Sequence, residues 1–181
     1  NLRRVSQGFA NFVRRNWSWE RGIVVGYDRR FGSELFADTV ARVLAGNSIR
    51  THLVDRPCPT PVAAFSVAEV GAAGAVMITA SHNPPIDNGF KVRSSSGAAV
   101  GPEELAHIEA EVASVELDAI AVMDRQAALT AGLITIFNPD AYYLRHIDNL
   151  VDLPAMRSRA LHIVFDPMYG SGAGWLPRIL C

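Results

Sequence analysis

Apolar positions along this chain switch repeatedly between a helical and a strand period. Arg3–Arg15 places Val5, Phe9, Phe12 and Val13 on one face, which predicts a helix. Ile23–Tyr27 (IVVGY) is a short apolar run and predicts a strand. Ser33–Ala45 returns to the helical period, with Ser33 as cap, Leu35, Phe36, Val40, Val43 and Leu44 inward, and Gly46-Asn47 as terminator. Ile49–Val54 alternates and predicts a second strand. Thr60-Pro61 supplies a cap and a first-turn proline for a helix to about Val70. Ala75–Ala80 is almost wholly apolar, the pattern of a strand covered on both faces.

A polar loop, Ser81–Gly89, follows, then a strand Phe90–Arg93 beyond the Asn88-Gly89 turn. Pro102–Val115 predicts a helix with Leu105, Ile108, Val112 and Val115 inward, and 116–137 fits neither period. Asn138-Pro139 opens a helix to about Leu150, and Pro154–Arg159 reads as a linker. Leu161–Phe165 predicts another strand, followed by Asp166-Pro167, a glycine-rich turn and a helix from Gly174. Strands alternating with helices on this scale predict an α/β sheet sandwiched by helices. A strand, a turn and half a helix cannot bury a core, so 161–181 is expected to open a second unit.

Composition narrows the chemistry. The 17 basic and 18 acidic residues give a net charge of −1, which disfavours a nucleic-acid backbone as main partner. With 49% hydrophobic and 19% charged residues, the chain has the makings of a packed core. No apolar run is long enough to predict a membrane span. Cys58 and Cys181 form neither a disulfide framework nor a paired metal spacing, which fits a reduced, cytoplasmic protein. Sixteen of the basic residues are arginine and one, Lys91, is lysine. Lysine can be shifted to lose its proton, whereas arginine effectively cannot.

Ligands of an open α/β sheet sit beyond the carboxyl ends of its strands. Asp28-Arg29-Arg30, Asp55–Pro61 and Ser81–Gly89 fall there. In the third segment Pro84-Pro85 stiffens the loop and holds Ser81 on a rigid support, which suits a reacting group as well as a plain surface turn. A serine hydrolase fits poorly, since Ser81 lacks the flanking glycines and following helix of a nucleophile elbow. His82, adjacent in sequence, is expected to point away from it. Gly170-Ser171-Gly172-Ala173-Gly174 lacks the sixth-place glycine of a dinucleotide fingerprint, since Trp175 stands there, and reads as a close-packed turn.

Ile78–Val92 (ITASHNPPIDNGFKV) resembles the active-serine loop of the α-D-phosphohexomutases, the phosphoglucomutase/phosphomannomutase superfamily. VGYDRRFGSE (Val25–Glu34), DRPCPTP (Asp55–Pro61) and FDPMYGSGAGWLPRIL (Phe165–Leu180) match further family segments in the same order. The resemblance implies a three-layer α/β/α sandwich with a mixed, mostly parallel sheet over 1–137. A linker helix and the start of a second similar domain would occupy 138–181. It implies a phosphoserine at Ser81 that gives its phosphate to a hexose 1-phosphate and recovers the other phosphate from a bound hexose 1,6-bisphosphate. Lys91 is the implied general acid/base, His82 and Asn83 complete the loop, and Arg30 orients near it or pairs with Asp28. Asn83 and Lys91 are implied to bind substrate.

The implied Mg²⁺ would meet Ser81 through its phosphate and three aspartates of a D-x-D-x-D loop that this chain does not contain. The family's G-T-x-G-x-R-G segment, its sugar loop and its phosphate-binding domain are also absent, so the chain is expected to be inactive alone. Thr60 is expected to cap, Cys58 to do no chemistry, and Tyr169 and Trp175 to pack. The implied partner is a hexose phosphate, with no nucleic acid or membrane, and the protein a monomer or homodimer. Phosphoglucosamine mutase is the nearest alternative within the family. A non-catalytic α/β sugar-phosphate-binding module is the alternative of another class.

Overall fold

The computed structural model describes residues 1–159 and 161–180. Cys181, and with it the end of the expected 138–181 segment, lies outside them. Five strands form one sheet: β1 (Ile23–Tyr27), β2 (Thr51–Val54), β3 (Gly74–Ile78), β4 (Phe90–Arg93) and β5 (Ile134–Phe137). Their spatial order is β4-β3-β1-β2-β5, with β4 antiparallel to β3 and the other neighbours parallel. The sheet is therefore mixed and mostly parallel, as the family resemblance implies.

Eight α-helices accompany it among the described residues: α1 (Leu2–Asn16), α2 (Ser33–Gly46), α3 (Thr60–Glu69), α4 (Pro102–Ala113), α5 (Arg125–Thr130), α6 (Asp140–Leu150), α7 (Leu153–Arg157) and α8 (Trp175–Leu180). Strand alternation sends Ile23, Val25, Val76 and Ile78 into a core with α1, α2, α4 and α5. Val24, Ala75 and Met77 go to the opposite core with α3, where Tyr143, Leu144 and Trp175 of α6 and α8 join. The result is three layers. Helix α1 meets α4 so closely that a Cβ on Gly8 would stand 2.4 Å from Val112 Cα.

Several expectations are corrected. Leu35 is 66% exposed and Leu105 43%, because each lies at the margin of its helix's apolar stripe. Ser33 is the first residue of α2 and Gly32 its cap, while the Ser33 hydroxyl turns inward to Asp28. Thr60 likewise begins α3 after Pro59 without capping it. The unassigned stretch holds α5 and β5, which extends the sheet beside β2, and the expected linker holds α7. Leu161–Phe165 joins no ladder among the described residues. Its side chains stay exposed, because an apolar run becomes a strand only when another backbone pairs with it.

The topology places the site. The chain leaves β1 through α2 toward β2 on one side, then crosses through α3 to β3 on the other. The connections thus diverge between β1 and β3, where open α/β sheets form their ligand crevice.

Candidate active site

Two loops meet at that crevice, Asp28–Gly32 after β1 and Thr79–Gly89 after β3, joined at their base by the Asp28 amide donating to the Ile78 carbonyl, 3.1 Å. Ser81 is exposed and sits in the left-handed region, φ +56°. The buried Thr79 supports this conformation, its Oγ1 accepting from the Ser81 amide at 3.0 Å. The turn also reverses the expectation for His82. With Ser81 outside the strand region, the two neighbouring side chains no longer alternate, and Ser81 Oγ lies 3.2 Å from His82 Nδ1.

Arg30 holds the loop from beneath. Its Nη1 donates to the carbonyls of Pro84 (2.6 Å) and Asp87 (3.1 Å), and its Nη2 to those of Ser81 and Asn83 (2.8 Å each). Nε faces Asp28 Oδ2 at 3.3 Å, with both side chains about seven-eighths buried. A guanidinium has five N–H donors; here the four on Nη1 and Nη2 are all donated to loop carbonyls, and Nε carries the ion pair with Asp28. Arg30 therefore combines both roles considered for it, loop support and a pair with Asp28. Asp28 Oδ1 accepts from the Arg30 amide and from Ser33 Oγ.

A second tether holds the loop's far end. Asn88 Nδ2 donates to Ser33 Oγ at 2.8 Å, and Asn88 Oδ1 accepts from the Gly89 amide. Gly89 also receives the Thr79 amide on its carbonyl, and a Cβ there would stand 2.8 Å from the Thr79 oxygen. From sequence, Asp28 stands only as a partner for Arg30, Ser33 as a helix cap and Asn88 as a turn residue, and none of them, nor Thr79, as a support of the Ser81 loop. Asp28 and Ser33 lie inside the matched segment Val25–Glu34, and Thr79 and Asn88 inside Ile78–Val92, but only the fold shows that they bond.

Beside the loop lies a cleft of about 430 Å³, lined by Asp28–Phe31, Ser81, Asn83, Pro85 and Met168–Ser171. Tyr169, expected to pack, is instead 94% exposed on its wall, with φ +61°. Trp175 does pack, edge-on to Tyr143. The structure thus brings Ser81, His82, Asn83 and Arg30 together. Lys91 stands apart from the cleft lining, exposed on the edge strand β4 opposite Met77. Cys58 is wholly buried, and burial pushes its thiol up to about 12, so it stays protonated and inert.

Mg²⁺ favours several hard oxygen ligands. No group of three metal-binding side chains occurs among the described residues, and both Asp28 oxygens are engaged. The residues present do not form a Mg²⁺ site by themselves. No described helix is long and apolar enough to cross a membrane.

Known proteins match both the sequence and this geometry. Residues 1–119 match the family described as phosphoglucomutase/phosphomannomutase, alpha/beta/alpha domain I. A Haemophilus influenzae protein named "Probable phosphomannomutase" is 31% identical over 179 residues, covering 96% of this chain and 35% of that protein. A Schizosaccharomyces pombe protein named "Probable phosphoribomutase" is 30% identical over 184 residues, covering 97% and 31%. The crystal structure of a Thermus thermophilus protein assigned to the phosphomannomutases superposes with a TM-score of 0.83 at 30% identity, covering 99% of this chain and 38% of that one. The chain spans about a third of the length of these curated relatives. Sequence and fold agree: this chain belongs to the phosphoglucomutase/phosphomannomutase family.

Proposed function

We propose that the chain is the active-serine portion of a phosphohexomutase that interconverts hexose 1-phosphate and hexose 6-phosphate. The observation that supports this most is the Ser81 loop. Its serine is exposed at the topological switch point, in a conformation supported by Thr79 and by four hydrogen bonds from one arginine. Phosphoryl transfer asks for little covalent chemistry from the protein and depends on in-line placement and charge neutralisation. A held serine oxygen meets the first need.

In this reading a phosphoryl group on Ser81 Oγ passes to a hexose hydroxyl. The Oγ–P bond breaks, the new O–P bond forms, Lys91 takes the hydroxyl proton as general acid/base, and the leaving Ser81 Oγ takes up a proton from solvent. The other phosphate of the resulting hexose 1,6-bisphosphate then returns to Ser81: its sugar O–P bond breaks, the Ser81 hydroxyl releases its proton, and Lys91 gives its own proton to the sugar oxygen. His82 Nδ1 exchanges a hydrogen bond with the unphosphorylated Oγ, and Asn83 faces the sugar phosphate from the cleft wall. Arg30 is a positioning residue. The reading places the active-serine domain in 1–137, the linker and a second unit in 138–181, and the whole in the cytoplasm. It assigns Mg²⁺ to a longer protein, in which this chain contributes only the Ser81 phosphate.

The test is the intact mass of the source protein with peptide mapping of Ser81. An added 80 Da on that peptide, absent in Ser81→Ala, is the expected result. A source protein whose Ser81 stays unmodified after incubation with hexose 1,6-bisphosphate would overturn the reading.

A further inference from the structure

Resting on that function, we infer that Arg29 is the guanidinium that pairs with a phosphate monoester in the Ser81 cleft. Arg30, although closer to the loop backbone, is spent: its four Nη hydrogens are donated to loop carbonyls and its charge is paired with Asp28 through Nε. The Asp28 charge is spent too, on Arg30 and Ser33.

Arg29 is different in every respect. It lines the cleft with Ser81 and Asn83, it is exposed, and it takes part in none of the ion pairs among the described residues. It also borders the neighbouring groove formed with Tyr27, Glu34, Pro57 and Tyr169. Arg29 is thus the one uncommitted cation among the described residues of the cleft wall. A phosphate beside Ser81 needs such a charge, and a guanidinium offers it two parallel donors. Rigid support and charge neutralisation are divided between adjacent residues. Arg30 faces inward and fixes the loop, while Arg29 faces the cleft and meets the anion.

Two phosphate sources share this chemistry, the phosphoserine and a phosphate arriving with the substrate. The experiment has an arm for each. In the first, phosphoserine is incorporated at position 81 during synthesis and its ³¹P shift is followed against pH. A neighbouring guanidinium favours the dianion, so the phosphate's second pKa is expected about half a unit lower than in Arg29→Gln, with Arg29→Lys between. In the second, inorganic phosphate is titrated into the unphosphorylated chain and amide shifts of residues 81–83 are read. Arg29→Gln is expected to weaken binding about fivefold. A response in the first arm alone assigns Arg29 to the phosphoserine, and in the second alone to the incoming phosphate. Equal behaviour of wild type and Arg29→Gln in both arms overturns the inference. Because the Arg29 side chain bonds to nothing among the described residues, amide shifts away from the cleft should stay unchanged and exclude misfolding. Ser81 remaining unmodified in the source protein sinks the mutase reading instead, a separate failure.

Discussion

Replacing Arg30 with alanine withdraws four donors from beneath the Ser81 loop and the ion pair from Asp28. Of the four residues whose carbonyls lose a partner, Ser81, Asn83 and Pro84 are exposed and Asp87 is half-buried, so water recovers most of each bond. About 0.5 kcal/mol per bond, the low end for a net hydrogen bond, gives about 2 kcal/mol for the loop. Asp28 keeps Ser33 Oγ and the main-chain amide of residue 30, so loss of its ion pair adds only about 1 kcal/mol. The loss is local, because the strands beneath do not depend on this guanidinium.

The assay is native-state hydrogen exchange. The amides of Asn83 and Asp87, which donate to Ala80 and Pro84, should lose roughly 30-fold in protection. Those of Val24 and Val76 should fall far less. Arg30→Lys keeps the charge beside Asp28 but not the planar fork, and should recover only part of the protection. Unchanged exchange at Asn83 and Asp87 in Arg30→Ala, or an equal loss at Val24 and Val76, refutes the view of Arg30 as a local clamp.

Asp140 is buried, and its Oδ2 accepts from Arg178 on α8 and pairs with the Arg56 charge after β2, while Oδ1 has no partner among the described residues. Asp140→Ala should release α8, with exchange at 176–180 rising tenfold or more and β1 unaffected; the cost stays near 1–2 kcal/mol because both arginines are half exposed and rehydrate. Gly8→Ala should push α1 from α4 and lower the thermal midpoint, read by circular dichroism, by about 6–12 °C for a cost of about 3 kcal/mol. Burial keeps the Cys58 thiol protonated to about 12 in the fold, so unfolding releases its proton once pH passes the ordinary thiol value near 9. Denaturant midpoints should therefore fall as pH rises from about 9 to 12, by up to about 1.4 kcal/mol per pH unit, and Cys58→Ala should flatten that slope. Tyr27, pushed up to about 12 mainly by burial, adds to the same fall above pH 10 and persists in the variant.

Local patterns in the sequence determined the alternation of strands and helices, the stiffness of the Ser81 loop and the segment that carries the chemistry. Those features depend on neighbours a few residues away: apolar spacing, a proline pair, an Asn-Gly turn. The family match rested on the same short stretches. β5 was invisible because it is an edge strand of four residues with a weak period, and it becomes a strand only by pairing with β2. Leu161–Phe165 failed in the opposite sense, since it has strand-like side chains and no backbone to pair with among the described residues. The contact between Ser81 and His82 arose from one left-handed residue that alternation rules do not foresee. What only the tertiary structure decided is which of Arg29 and Arg30 the Ser81 loop engages. Adjacent and chemically identical, they differ in whether acceptors 51–57 residues further along the chain are folded back within hydrogen-bonding distance, and no local pattern encodes that.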